Sequence, residues 1–211
     1  MTGTNGDGDA YERLRQQRPQ LFRNLPGGID ILHDAADDEV GVVYQDPYIT
    51  ILRDPVRFPD GERGTYIRLL DSATGPSCVL LPLLGPEVVL VEHFRHATRE
   101  WHLEVPRGHG TSGLSGAENA AKELAEELGT TADELIPLGL LHPDTGLRGG
   151  HAELFAARIA AIGEVDRGEG IRRALPVPVA EAEELIRTGG ITDAFTIAVL
   201  TRARLAGLLD R

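Results

Sequence analysis

Three glutamates, Glu123, Glu126 and Glu127, stand close together in the segment ELAEEL and could bind a metal ion. On a helix, spacings of three and four residues place the three carboxylates on one face. Like charges at that distance repel each other and destabilise the helix unless a cation lies between them. Oxygen ligands on a rigid helix are what a hard cation such as Mg²⁺ requires. Such cations would bridge the carboxylates to a diphosphate and activate a water for attack on phosphorus.

A solvated acidic face is the alternative interpretation of the same cluster. Lys122 favours it, because this lysine can pair with Glu118 and Glu126 at i, i+4 spacing. Two flanking features favour the metal site instead. The Gly-rich stretch RGHGTSGLSG leads into the helix, and an apolar strand that carries Glu104 precedes the stretch.

The helix that carries the glutamates has clear boundaries in the sequence. Ser115 followed by Glu118 is typical of a capping box, and Gly129 stands where the helix would end. The predicted helix has one apolar stripe, and the carboxylates lie well away from its centre. The residues of this stripe are Ala117, Ala121, Leu124 and Leu128.

The chain before this helix consists mainly of strands. Residues from Met1 to about Asp9 have little to bury and are expected to be disordered within a lead-in segment, 1–39. The runs GVVYQ, YITILRD and TYIRLLDS predict an antiparallel strand unit over 40–75, with a hairpin turn at Pro59-Asp60-Gly61. The continuous apolar runs CVLLPLL and VVLVEHF predict strands covered on both faces, followed by a short strand at WHLEV.

The remaining elements define the fold class. Strands are predicted at 135–141, 152–159 and 174–179, and closing helices at 180–187 and 193–208. Strands, a helix, more strands and then helices indicate an α+β fold with a mixed sheet over 76–211.

Composition limits the class of function. The formal net charge of −12 would repel a phosphate backbone, so nucleic acid is not expected as a partner. No apolar run approaches the ~20 residues that a membrane span needs, and no secretory signal is evident. Cys78 is the only cysteine and is expected in the core. These features predict a cytoplasmic protein.

The segment GHGTSGLSGAENAAKELAEELGT resembles the Nudix box, G-x5-E-x7-R-E-U-x-E-E-x-G-U, where U is a bulky aliphatic residue. The matching positions are Gly108, Glu123, Leu124, Glu126, Glu127 and Gly129. Three positions depart from it: Leu114 replaces a glutamate, Lys122 an arginine and Thr130 an aliphatic residue. The resemblance implies the Nudix fold, with a mixed β-sheet sandwiched between helices.

Three further segments resemble the ADP-ribose pyrophosphatase branch of the Nudix hydrolases. VVLVEHFRHATREWHLEVPRG is similar to its V-x-Q-x-R strand and E-L-P-A-G strand, and GGITDAFTIAVLTRARL to its closing helix. VYQDPYITILRDPVRFPDGERGTY resembles its dimerising N-terminal strands. The resemblance therefore implies a homodimer that hydrolyses ADP-ribose to AMP and ribose 5-phosphate.

The resemblance also implies roles for particular residues. Glu123 and Glu127 would bind Mg²⁺, for which Mn²⁺ could substitute, and Glu126 and the backbone carbonyl of Arg107 would complete the set. Arg95 would bind the substrate's phosphates, since a permanently charged planar fork suits that contact. Glu104 would lie near the metal or substrate; the alternative is an exposed strand residue.

The general base is expected in the loop GEVDRGEGIRR. Glu169 is the first candidate, Glu164 the second and Glu153 the next. Trp101 is either a core residue or a platform for base stacking. His93 and the other histidines show no spacing typical of metal ligands, so zinc is not expected.

Two other functions remain open. The same fold and mechanism could act on a nucleotide sugar of the GDP-mannose type. Alternatively, the departures at Leu114 and Lys122 could mark a catalytically weak Nudix domain that binds a nucleotide and acts as a sensor. Regulators with this fold usually append a basic winged helix. Here the sequence predicts one amphipathic helical tail and the chain is acidic, which argues against the sensor.

Overall fold

The computed structural model describes residues 6–32 and 40–209, which form two compact units. One unit contains the residues up to Ala73 together with Asp144–Gly150. The other contains Thr74–Pro143 and His151 onwards. Most of the predicted lead-in, 1–39, thus belongs to the first unit, although residues 1–5 and 33–39 lie outside the described residues.

The N-terminal unit is built around strand β3, which pairs antiparallel with three other strands. The hairpin between β3 and β4 turns at Pro59-Asp60-Gly61, as predicted. The segment Asp144–Gly150 adds to β4, because Leu69 exchanges backbone hydrogen bonds with Leu147 and Gly149. The elements are helix α1 (Gly6–Gln17), a 3₁₀ turn (Pro19–Phe22), and strands β1 (Asp30–Ile31), β2 (Gly41–Gln45), β3 (Ile49–Arg57) and β4 (Arg63–Asp71).

Helix α1 covers one face of this sheet and was not predicted. It begins at Gly6, inside the segment expected to be disordered. Tyr11 packs against the cluster of Phe22, Leu52 and Leu70 and donates a hydrogen bond to the buried carboxylate of Asp54. Arg68 pairs with the same carboxylate. These contacts join residues far apart in the chain, which explains why no local pattern revealed the helix.

The C-terminal unit contains a seven-stranded mixed sheet in which only β5 and β10 pair in parallel. Its main strand order is β11-β6-β5-β10-β9, with β7 added to β6 and β8 to β5. The strands are β5 (Ser77–Leu84), β6 (Glu87–Arg95), β7 (Glu100–Glu104), β8 (Arg107–Gly108), β9 (Ala132–Leu141), β10 (Ala152–Ile159) and β11 (Ile171–Pro178). The helices are α2 (Gly116–Leu128), α3 (Val179–Thr188) and α4 (Ala194–Leu205). No helix of the described residues is both long and apolar enough to cross a membrane.

Helices cover both faces of this sheet, which confirms the predicted α+β fold. Leu80 and Val89 face α2, whereas Leu81 and Leu90 face α3 and α4. Successive strand residues thus enter two different cores, because side chains alternate between the faces of a strand. This arrangement explains the continuous apolar runs of β5 and β6.

The buried stripe of α2 differs from the predicted one. Ala117 and Ala121 are exposed. Gly116 and Ala120, which precede Leu124 at intervals of four residues, are buried instead. The helix is therefore rotated relative to the prediction. As a consequence, Glu123 and Glu127 lie at the border of the stripe, 7% and 1% exposed. The expectation that the carboxylates lie away from the buried face is wrong for these two and holds for Glu126, which is exposed.

Candidate active site

A cavity of about 420 Å³ in the C-terminal unit brings together residues from four elements. These are the end of β6, the loop that begins at β8, one side of α2, and the 3₁₀ turn Arg167–Glu169. Most of the predicted site residues line it: Arg95, Arg107, Glu123, Glu126, Glu127 and Glu169. Four glutamates, two arginines and Lys122 therefore line one cavity.

Local sequence holds α2 in place. Ser115 accepts a hydrogen bond from the Glu118 backbone, and the Glu118 side chain accepts one from the Ser115 backbone, so the predicted capping box is present. Gly129 ends the helix in the left-handed region, at φ 57°. The fixed helix directs Glu123 and Glu127, one turn apart, to the floor of the cavity.

Glu127 is the most deeply buried carboxylate of the lining. One of its oxygens, Oε1, accepts a hydrogen bond from the Arg107 backbone N–H at 3.4 Å. The other, Oε2, is buried without a hydrogen-bonding partner among the residues that the structure describes. Burial raises the pKa of Glu127 to about 8, and the charges of Glu169 and Glu123 act in the same direction. The hydrogen bond from Arg107 and the charge of Arg95 act on the pKa in the opposite direction but do not offset the burial.

Glu123 shares this environment but has a counter-ion. Burial raises its pKa, as do Glu126 and Glu169, whereas Lys122 opposes the shift. The Lys122 ammonium lies 3.2 Å from Glu123 and 2.5 Å from Glu126. The predicted pair with Glu126 is thus present, and Glu118 is engaged in the capping box instead. Lys122 therefore neutralises part of the outer side of the cluster and has no ion pair with Glu127.

The Gly-rich loop fits closely against the helix and the chain before β5. A Cβ at Gly108 would lie 1.9 Å from the carboxyl carbon of Glu123, and one at Gly110 would lie 1.8 Å from the carbonyl oxygen of Gly75. The fully buried Asn119 donates a hydrogen bond to the His109 carbonyl oxygen at 2.9 Å. Glycine is therefore required here for space, so that the loop can approach the carboxylates.

Glu104 lies beneath the basic side of the cavity. It is 1% exposed, which excludes the exposed strand residue that the sequence left open. Its carboxylate pairs with both Arg95 and Arg107, the latter at 3.4 Å. Arg95 thus has an ion pair, but with a buried partner rather than at the surface. One buried carboxylate orients two arginines.

His93 also lines the cavity and was missed as a site residue. It occupies the glutamine position of the V-x-Q-x-R pattern, which was the available signal. Its Nδ1 lies 3.5 Å from Glu104, and its ring donates a hydrogen bond to the backbone of Glu169. Burial, followed by Arg95 and Arg107, lowers the pKa of His93 to about 4, so the ring is neutral at pH 7. His93 therefore links the turn that carries Glu169 to the basic side of the cavity.

Three other predicted candidates lie elsewhere. The Glu164 backbone packs against Gly129 at the end of α2, and the Glu153 carboxylate lies against Gly116 at its start. Glu153 is thus about 10 Å along the helix from Glu123, at ~1.5 Å per residue. Trp101 is 46% exposed and pairs across the strands with Phe94, so it faces away from Arg95 and does not line the cavity.

The side chains of the cavity suit a hard cation in their chemistry. As placed, no three His, Cys, Asp or Glu side chains of the described residues converge on a common metal position. Lys122 accounts for part of this, because it holds Glu126 on the outer side of α2. The buried, unpartnered oxygen of Glu127 and the surrounding carboxylates are nevertheless the donor set that Mg²⁺ prefers. In the chemistry of their side chains, Glu123, Glu126 and Glu127 therefore suit such an ion.

No family model and no curated protein sequence matches the chain. A crystal structure described as that of an ADP compounds hydrolase superposes with a TM-score of 0.71, covering 88% of this chain and 98% of that chain. The two sequences are 21% identical, so the similarity is one of fold. The similarity supports the predicted fold class, a mixed β-sheet between helices. In this chain, helix α2 and its glutamates lie between the Gly-rich loop and strand β9.

Proposed function

We propose that the protein is a Mg²⁺-dependent hydrolase of the pyrophosphate bond in a nucleoside diphosphate derivative, with ADP-ribose as the leading substrate. The observation that carries the proposal is the cavity that four glutamates and two arginines line together. Carboxylates suit the metal and arginines suit the diphosphate. The superposed structure, described as an ADP compounds hydrolase, supports the choice of substrate.

The metal would be held by Glu123, Glu127, the backbone carbonyl of Arg107 and, once released from Lys122, Glu126. When bound, Mg²⁺, or Mn²⁺ in its place, would offset the charge of the diphosphate and make its phosphorus more electrophilic. In the free protein, one oxygen of Glu127 is buried without a hydrogen-bonding partner among the described residues, and the raised pKa keeps this group largely protonated at pH 7. Glu127 would have to lose that proton to bind the cation.

Substrate would be oriented by Arg95, which lies at the end of β6 and lines the cavity. Glu104 is buried beneath Arg95 and Arg107 and would act by fixing both guanidinium groups. It would therefore contribute to substrate binding through the arginines rather than by direct contact.

Glu169 would act as the general base. It lines the cavity, and its charge affects both Glu123 and Glu127. A water oxygen would form a bond to one phosphorus while the bond from that phosphorus to the bridging oxygen breaks. Glu169 accepts the proton of the water, and the two monophosphates leave as AMP and ribose 5-phosphate.

The decisive experiment measures the rate of hydrolysis of ADP-ribose and, separately, of GDP-mannose and other diphosphates. Each substrate is tested with Mg²⁺, with Mn²⁺ and with EDTA. A phosphatase added to the assay would release phosphate from the monophosphate products. We expect turnover of ADP-ribose only with metal, and a loss in kcat of roughly 10²-fold or more in Glu127→Gln. Glu134→Gln, which removes an exposed ion pair with Arg158, is the matched control. Equal rates with Mg²⁺ and with EDTA would refute the mechanism.

A nucleotide sensor without turnover is the second candidate. The ion pairs of Lys122 with Glu123 and Glu126 favour it, because they compete with metal for two carboxylates. A thermal-shift screen separates the two functions. A ligand that stabilises the protein strongly, in the absence of hydrolysis of any diphosphate at high Mg²⁺ and Mn²⁺, would establish the sensor.

A further inference from the structure

The N-terminus of α4 lies directly behind the strand end that forms the basic side of the cavity. The Val105 backbone N–H donates a buried hydrogen bond to Thr196 Oγ1 at 3.0 Å. Two residues further on, the Arg107 guanidinium donates to Asp193 Oδ1 at 2.9 Å. The same guanidinium stacks over the ring of Phe195, 4.8 Å from its centroid. The first turn of α4 therefore holds the chain on both sides of Pro106.

The two oxygens of Asp193 have separate partners. Oδ2 accepts hydrogen bonds from the Thr196 backbone and hydroxyl and so caps the helix. Oδ1 accepts the hydrogen bond from Arg107. Since the Thr196 hydroxyl donates to Asp193, its lone pairs are free to accept from Val105. One small network therefore joins the helix cap to the strand.

Arg107 transmits this contact to the acidic side of the cavity. Its backbone N–H bonds to Glu127, and its side chain bonds to Glu104. A shift of Arg107 would therefore move the backbone N–H that bonds to Glu127. It would also move the guanidinium that contacts Glu104, the partner of Arg95. We propose that Asp193 and Thr196 are positioning residues, which hold the Arg107 backbone against Glu127 and thereby tune metal binding. This inference rests on the proposed function.

Asp193→Asn separates the capping contact from the contact with Arg107. The amide oxygen of asparagine can still cap α4, but its amino group cannot accept a hydrogen bond from a guanidinium. We expect a melting temperature close to that of wild type, with Mn²⁺ affinity weakened on the order of tenfold. Mn²⁺ binding would be measured by electron paramagnetic resonance without substrate, and kcat and KM at saturating metal separately.

Thr196 provides a second test that does not depend on Asp193. Thr196→Val should weaken Mn²⁺ binding because the Val105 N–H loses its acceptor, and Thr196→Ser, which keeps the hydroxyl, should restore it. Glu183→Gln is the control, since it removes an exposed ion pair between α3 and Arg204 of the same helix α4. It should leave Mn²⁺ binding unchanged.

The outcomes distinguish this inference from the proposed function. If wild-type protein binds Mn²⁺ and hydrolyses ADP-ribose while Asp193→Asn and Thr196→Val match it in affinity, the positioning role is refuted and the function stands. If wild-type protein binds no Mn²⁺, the proposed function fails and this inference fails with it. Weaker binding in both variants, with recovery in Thr196→Ser, supports the inference.

Discussion

Burial raises the pKa of Glu127, and protonation of this residue should therefore affect stability. Its pKa is about 8 in the folded protein and near the ordinary glutamate value in the unfolded chain. At pH values between these two pKa values, Glu127 is protonated in the folded state and ionised in the unfolded state. Without metal, the free energy of unfolding should thus fall as pH rises towards 8, by at most about 1.4 kcal/mol per pH unit, and then level off.

Glu127→Gln should remove this contribution. Urea unfolding of metal-free protein at pH 6 and pH 9 would show the variant more stable than wild type at pH 9, with the difference shrinking at pH 6. Glu134→Gln, on the exposed surface, should follow wild type at both values. A wild-type pH profile identical to that of Glu127→Gln would contradict the raised pKa.

Glu169 and Glu164 provide a second test with single residues, because they lie in the same loop but only Glu169 lines the cavity. If Glu169 accepts the proton of the attacking water, Glu169→Gln should lower kcat by about 10²-fold or more and leave KM nearly unchanged. Glu164→Gln should be close to wild type. Steady-state kinetics with ADP-ribose at saturating Mg²⁺ would measure both. Small, equal effects would place the base elsewhere.

The Gly-rich loop packs closely against helix α2. Substitution of two of its glycines should have different effects on metal binding and on stability. Gly108→Ala would push aside the Glu123 carboxylate, the far end of a flexible side chain, so the fold should survive and metal binding should weaken. Gly110→Ala would instead meet the Gly75 backbone, which cannot move aside. It should cost about 1–3 kcal/mol, or roughly 2–4 °C of melting temperature per kcal/mol.

Calorimetry and Mn²⁺ titration of both variants would test this contrast. Gly146→Ala is the control, since its added Cβ would reach only the Asp144 side chain, at an ordinary 3.4 Å. A Gly108→Ala protein with full Mn²⁺ affinity would show that close approach of the loop to Glu123 has no functional role.

The N-terminal unit bears on the oligomeric state of the whole molecule. One face of its sheet is buried under α1, whereas the other carries a line of apolar side chains across three strands. Tyr44 and Ile67 on this face are 50% and 42% exposed, and Ile51 and Leu69 lie between them. A contiguous exposed apolar patch is typical of an interface. We therefore propose that this face pairs with a second copy of the chain.

Ile67→Lys should convert the expected homodimer to a monomer, because it would bury a charge within the proposed interface. Leu205→Lys is the matched control: Leu205 is an exposed apolar residue, 81% exposed, on α4 of the other unit. Light scattering at micromolar concentration measures the mass of each protein. A monomeric wild type would refute the dimer.

The sequence by itself determined most of the local structure of the C-terminal unit. The capping box, the helix end at Gly129 and the alternating and continuous apolar runs depend on neighbouring residues. Short patterns therefore revealed α2 and the strands from β5 to β11 except β8, which lies in the Gly-rich stretch. The same locality revealed Glu123, Glu126 and Glu127 as a group. It did not reveal how α2 is rotated against the sheet, because alanines at several positions could equally have formed the buried stripe.

Only the tertiary structure decided which groups surround these glutamates. Arg107 and Asp193 are 86 positions apart, and Val105 and Thr196 are 91 apart, so no local spacing relates them. Burial likewise depends on packing between distant elements, and it separates Glu127, with its raised pKa, from the exposed Glu126. The sequence identified the groups that could bind a metal and a diphosphate. The packing of β6, α2 and α4 set their charges and their partners.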